Sequence, residues 1–183
     1  DINLDLSDTE NIKNALKNIR DTKKEVNILV NNASTIHTAL FQMTTVKKFE
    51  EIFKVNFFSQ IEFTQGILKL MPKKKDSNIV FISSTSASDS NVGRSAYSSS
   101  KAALVSISKT LARELATYSI RVNSIAPGLT ITDMMKNNTS EKLLNELEKK
   151  IPLNRFATPD EIANVALFLA SELSSYVNGE TIR

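Results

Sequence analysis

Cysteine is absent from this chain of 183 residues, and histidine occurs once, at His37. Without thiols there can be no disulfide scaffold, thiol nucleophile or zinc–thiolate set, and a lone imidazole has no second ligand to share a metal with, so no metal site is expected. The missing cysteines also fit a reducing compartment, and a cytoplasmic location is the expectation. Glycine is nearly as scarce: Gly66, Gly93, Gly128 and Gly179 are the only four, each far from the next. No Gly-rich turn of the kind that cradles a pyrophosphate at a helix N-terminus can be built from them. No apolar run approaches the ~18 residues of a membrane span, and no signal peptide is visible, so no membrane partner is expected. The formal net charge of +3 comes from lysines interleaved with acids, as between Lys142 and Lys150, and not from a basic stripe with aromatics. Nucleic acid is therefore not an expected partner, and Lys73-Lys74-Lys75, just after Pro72, reads as a solvated turn.

What the sequence does contain is an alternation of short β-rich runs and helical patterns. Strands are expected at Ile2 to Leu6, Val26 to Val30, Ile79 to Ile82 and Ile120 to Ile125, with the opening of another from Gly179. Ser7-Asp8-Thr9-Glu10 reads as a capping box before a helix with Ile12, Ala15, Leu16 and Ile19 on its apolar face. Thr45 to Met71 suits one or two helices stopped by Pro72, and Ser95 to Ala116 one long helix with a stripe of Leu104, Ile107, Leu111 and Leu115. Asp133 to Ile151 holds a Lys/Glu-rich helix with Leu143, Leu144 and Leu147 on one side. Thr158-Pro159-Asp160-Glu161 is a strong helix start, with Ile162, Val165, Ala166 and Leu169 as the buried stripe. Such alternation predicts a single α/β domain over residues 1–183, with a parallel, doubly wound sheet of the Rossmann type.

Chemistry concentrates at Tyr97-Ser98-Ser99-Ser100-Lys101. On a helix the Tyr97 hydroxyl and the Lys101 ammonium, four residues apart, can reach one site. A free phenol with a pKa near ~10 is a poor acid or base at neutral pH, and a neighbouring cation favours its phenolate. Tyr and Lys at this spacing also recur by chance, so the pair gains meaning from its company. Ser84 closes the Ile79 to Ile82 strand and opens a loop running to Asn91, where open α/β sheets place their ligands. Asn56 stands mid-helix, where its amide competes with the backbone unless it has work elsewhere.

Asn31-Asn32-Ala33, Asn56, Ser84, Tyr97, Lys101 and Pro127-Gly128-Leu129-Thr130-Ile131-Thr132, in this order and at these separations, resemble the classical short-chain dehydrogenase/reductase family. Leu111-Ala112-Arg113-Glu114, Arg121 to Gly128 and Pro159 to Ala163 narrow the resemblance to its 3-oxoacyl-acyl carrier protein reductases. It implies an NADP cofactor, with NAD possible, and reduction of a ketone to a secondary alcohol. The substrate implied is a ketone carried on acyl carrier protein, with sugar or small-alcohol dehydrogenase as the alternative. The implied catalytic residues are Asn56, Ser84, Tyr97 and Lys101. Asp5 and Leu6 would border the adenine, and Asn31 and Ala33 the cofactor, while Tyr97, Lys101, Pro127, Gly128, Thr130 and Thr132 would hold the nicotinamide end. Residues 133–151 correspond to the family's lid, and assembly as a homotetramer through two long helices is implied, with Ala96, Ala102 and Ala103 permitting close packing.

Two departures qualify the match. Ser34 stands where the family usually has glycine, and the first two strands with their glycine turn have no counterpart. The chain is therefore expected to be an N-terminally truncated form of the fold, with a cofactor-deficient subunit that does no catalysis as the remaining alternative.

Overall fold

The computed structural model describes residues 1–73, 75–89, 91–138 and 140–183. Lys74 of the lysine run and Ser90 of the loop after Ser84 lie outside them, as does Thr139 within the expected lid. Four strands form one parallel sheet in chain order: β1 (Ile28–Asn31), β2 (Ser77–Ile82), β3 (Ile120–Ile125) and β4 (Thr181–Ile182). Val30 pairs with Val80, Val80 with Asn123 and Ile125 with Ile182, so the C-terminal ends of the strands fall along one rim.

Side chains alternate across a strand, and each sheet face has its own cover. Leu29, Ile79, Phe81, Ile120 and Val122 meet helices α3 (Ser59–Leu68) and α5 (Ser95–Glu114) through Ile67, Leu104 and Ala112. Leu16 and Ile19 of α1 (Thr9–Asp21) pack onto the same cluster. On the other face Val80, Ile125 and Leu169 form a second core with Ile162, Val165 and Ala166. Those residues belong to the helix at Pro159–Ala170, called α8 below. Helices on both faces of a parallel sheet make the doubly wound architecture the alternation predicted. Ile79, Val122, Leu104 and Leu169 have no exposed surface, and burying each such side chain contributes roughly 1.5–3 kcal/mol.

Local signals explain most boundaries. Thr158 accepts from the Glu161 N–H while the Glu161 carboxylate takes the Thr158 N–H at 2.8 Å, the predicted capping box at the start of α8. Arg155 adds two bonds to that carboxylate and, with Thr158, holds it down at about 2, well below the usual range. At the other end of α8, buried Arg121 donates to the Leu169, Ser171 and Ser174 carbonyls, supplying partners the helix end lacks.

Several expectations shift. The expected strand at Ile2 to Leu6 does not form, because a strand exists only through a paired neighbour and, among the described residues, β1 pairs with β2 alone. Asp8, not Ser7, caps α1 by accepting from Glu10 N–H at 2.9 Å, while Ser7 closes a turn on Asp5. The loop after Ser84 contains the short helix α4 (Ser86–Asp89). The expected lid holds two helices, α6 (Asp133–Asn138) and α7 (Glu141–Glu148), where one was read.

Candidate active site

Asn56 reshapes the helix that carries it. Between α2 (Val46–Phe53) and α3, residues Lys54–Phe58 widen into a π-turn, in which the Ser59 N–H reaches back to Lys54 O. The fully buried Asn56 amide then spends all of its capacity on the loop after β1 and on α5. Its Nδ2 donates to Thr35 O at 2.9 Å and Ser100 Oγ at 3.0 Å. Its Oδ1 accepts from Thr35 N at 2.7 Å and Ser34 Oγ at 3.3 Å. An amide offers two donor hydrogens and two acceptor lone pairs, so these four bonds saturate it. One turn on, Gln60 donates to Ala33 O at 2.7 Å, so one helix face clamps Ala33, Ser34 and Thr35. Gln60 and Ser100 were not read from the sequence, although Asn56 and Gln60 stand four apart, on one side of the helix.

Ser84 and the head of α5 face each other across the rim. Ser83 locks the two elements together by donating to Lys101 O at 2.8 Å, and Ser84 Oγ accepts from Ser86 N–H at 3.1 Å. Lys101 is buried, and its Nζ donates to Ile82 O at 2.8 Å while lying 5.7 Å from the centroid of the Tyr97 ring. Burial pushes the Lys101 ammonium down to about 8. Burial likewise pushes the Tyr97 phenol up, opposed by its hydrogen bond with Ser84 and by the positive charge of Arg94. The cation whose charge opposes that rise is Arg94, three residues before Tyr97. Arg94 was missed in the sequence, although an i, i+3 spacing from Tyr97 was there to be seen.

These residues form one wall of an open cavity of about 1180 Å³ at the C-terminal rim of the sheet. Ser84, Tyr97, Lys101, Pro127, Gly128, Thr130 and Thr132 all line it, together with Asn32, Ala33 and Ser34. Met134, Met135, Leu143, Leu147 and Ile151 add an apolar part to its lining. Gly128 faces open space, with nothing within 4 Å of where a Cβ would project. Not every expected residue reaches the cavity. Asn31 turns away to donate to Thr64 Oγ1 at 3.0 Å. Asp5 is engaged by Ser7 and Asn11, and Leu6 is buried off the cavity walls. Asn56 lies behind the wall, and of its hydrogen-bond partners Ser34 is the one that lines the cavity.

A parallel sheet with helices on both faces and a Ser, Tyr and Lys at the rim defines a Rossmann-type oxidoreductase scaffold. The model of the family described as enoyl-(acyl carrier protein) reductase matches residues 2–183. The 3-oxoacyl-[acyl-carrier-protein] reductase FabG of Aquifex aeolicus is 40% identical over 181 residues, which is 99% of this chain and 73% of that protein. FabG of Thermotoga maritima is 36% identical over 179 residues, 98% of this chain and 72% of its own. Among solved structures, a short chain dehydrogenase family protein from Francisella tularensis superposes with a TM-score of 0.91 at 29% identity, over 99% of this chain and 77% of that one. A putative NAD(P) dependent gluconate 5-dehydrogenase from Beutenbergia cavernae with bound NADP gives 0.90 at 30% identity, over 97% and 72%. The chain belongs to the short-chain dehydrogenase/reductase family of NAD(P)-dependent oxidoreductases.

The residues present fit the nicotinamide half of such a cofactor. A buried ammonium, a phenol and the Thr130 and Thr132 hydroxyls offer hydrogen bonds to a ribose and a carboxamide around a void large enough to admit both. No cluster of glycines in this sequence could cradle the pyrophosphate.

Proposed function

We propose that the protein reduces a 3-oxoacyl group carried on acyl carrier protein to the 3-hydroxyacyl product, with NADPH as the reductant. The observation that carries this reading is the convergence of Ser84, Tyr97 and Lys101 on one cavity wall. It is supported by the identity to reductases named for that substrate.

Lys101, Tyr97, Thr130 and Thr132 would hold the cofactor's ribose and nicotinamide. When bound, that group supplies the hydride that reaches the carbonyl carbon. Tyr97 gives its proton to the carbonyl oxygen, so hydride and proton together make the secondary alcohol. The Ser84 hydroxyl donates a hydrogen bond to the same oxygen and holds it against the phenol as charge develops there. Lys101 keeps a positive charge beside the ring at neutral pH, and the proton Tyr97 loses is replaced through the polar groups behind the wall. Asn56 keeps that wall in place by holding Ser100 and Thr35 together. In this reading Asn31 acts from behind, bracing the loop that carries Asn32 and Ala33, and Asp5 and Leu6 sit beyond the catalytic half of the site. On the same basis the assembly is a homotetramer built through the α2–α3 segment and α5.

The test is Tyr97→Phe, assayed for oxidation of NADPH with an acetoacetyl thioester. Because the change removes one hydroxyl at the cavity wall, the fold persists while turnover falls by about 10³-fold or more. Turnover within tenfold of the unaltered protein, with the variant shown to be folded, would refute the role of Tyr97.

A further inference from the structure

The turn before α5 places a second cation in the cavity that the reduction chemistry does not use. Arg94 is half-buried, lines the cavity beside Tyr97 and forms the N-cap position of α5. Its backbone is fixed from both sides: its N–H donates to Asn91 O at 3.1 Å, and its carbonyl accepts from Ser98 N–H at 2.7 Å. Gly93 takes a left-handed φ of 77°, which a side chain would resist, and its carbonyl receives the Ala39 N–H at 3.0 Å. The guanidinium therefore springs from a rigid base, one helical turn from the proton donor.

The charges around it are one-sided. Lys101 from α5, Arg94 from the turn and Lys150 after α7 line the cavity, and the acid among the lining residues, Asp89 of α4, is paired with Arg183 at 2.5 Å. A cavity with three cations and one neutralised acid favours electron-rich oxygen. We infer that Arg94 is a specificity-determining residue that binds a second oxygen of the substrate, a carboxylate or an acyl carbonyl, next to the ketone being reduced. A guanidinium presents paired N–H donors in a plane, which matches such an oxygen group, and a plain ketone has no second oxygen to meet it. The inference rests on the reductase reading above and adds to it the residue that reads the second oxygen of such a substrate.

The experiment compares Arg94→Gln and Arg94→Lys with the unaltered protein on acetoacetate, on the neutral thioester S-acetoacetyl-N-acetylcysteamine, and on 2-butanone. Arg94→Gln lowers the ratio of kcat/KM for either oxo compound over that for 2-butanone by about tenfold. The loss is larger for the acid than for the thioester, and Arg94→Lys restores part of it for the acid. Any effect of the charge on Tyr97 acts on every ketone alike and cancels in the ratio. That effect is read separately by ultraviolet titration of the phenols, with Tyr97→Phe as the subtraction blank: Arg94→Gln moves Tyr97 ionisation to higher pH. Ratios unchanged within twofold overturn the inference even if the protein reduces ketones. An unaltered protein that reduces none of the three ketones while the Tyr97 titration still shifts refutes the reductase reading and leaves the placement of Arg94 beside the phenol standing.

Discussion

Replacing Lys101 by Met offers a test of the buried cation that does not depend on turnover. Its ammonium is 1% exposed and donates to Ile82 O, and burial lowers it from an ordinary 10.5 to about 8. Each unit of such a displacement is worth about 1.4 kcal/mol, so charging this amine inside the fold costs roughly 3 kcal/mol more than in the unfolded chain. The sign follows from proton counting. Between pH 8 and 10.5 the unfolded chain keeps a proton on Lys101 that the folded protein has given up, so stability rises with pH across that window. Below pH 8 both states are charged and the penalty is fully present. Tyr97 is displaced the opposite way by burial and lowers stability only once the unfolded phenol ionises, above pH 10, so the reading is taken between 8 and 10. Urea unfolding at several pH values for the unaltered protein and for Lys101→Met gives the comparison. The difference in unfolding free energy should change by roughly 2–3 kcal/mol over the window, in favour of the unaltered protein as pH rises. A difference that stays flat would mean that the ammonium is hydrated in the folded state and that the barrier assigned to its burial does not exist.

Two further substitutions probe the supports of the site. Asn56→Ala removes four hydrogen bonds and strands the Thr35 N–H and carbonyl, which should cost roughly 2–4 kcal/mol in urea unfolding and speed amide exchange at Thr35. Asn56→Asp keeps the shape but turns an acceptor toward Thr35 O, so it should lose stability as well, and an unchanged midpoint would show that the four bonds carry little. Arg121→Leu leaves the carbonyls of Leu169, Ser171 and Ser174 without their buried donor, which should cost about 3–5 kcal/mol and lower Tm by roughly 10 °C in calorimetry.

The parts of this fold that were legible in sequence are those decided by neighbours in sequence. Ile120 to Ile125 is a strand over the full run of alternating β-branched residues, and Thr158-Pro159-Asp160-Glu161 fixes its helix start through bonds spanning three residues. Ile2 to Leu6 has an equally strand-like pattern, yet strand formation needs a partner edge, which no local signal can promise. The expected Val26 to Val30 strand moves to Ile28–Asn31, the four residues that pair with Asn78 to Phe81 of β2. At the site, Ser84, Tyr97 and Lys101 could be named from their chemistry. Arg94 and Gln60 carry only a spacing from Tyr97 and Asn56, and Ser100 no signal at all, since their value comes from the loop at Ala33 to Thr35 and from the cavity, both assembled by tertiary contacts. The same limit applies to Asn31, whose place at a strand end looked like a cavity position until its amide met Thr64.

The two walls of the cavity are built to different standards, and that difference assigns them different tasks. The wall with Tyr97 and Lys101 belongs to a helix of 20 residues that buries Ala96, Ser100, Lys101, Leu104, Ser108 and Ala112 against the sheet and its neighbours. Proton transfer requires donor and acceptor to stay within a fraction of an ångström of register, and only an element anchored along its whole length meets that demand. Helix α7, whose Leu143 and Leu147 also line the cavity, spans eight residues, buries none of them and leaves Leu143 45% exposed. Few buried contacts mean a low cost of local displacement, so this wall can adapt to the substrate's chain without disturbing the chemistry on α5. Substitutions on α5 should therefore appear chiefly in kcat. Those at Leu143 or Leu147 should appear in KM, because the energy they change is that of binding a flexible apolar group and not that of holding the reacting atoms.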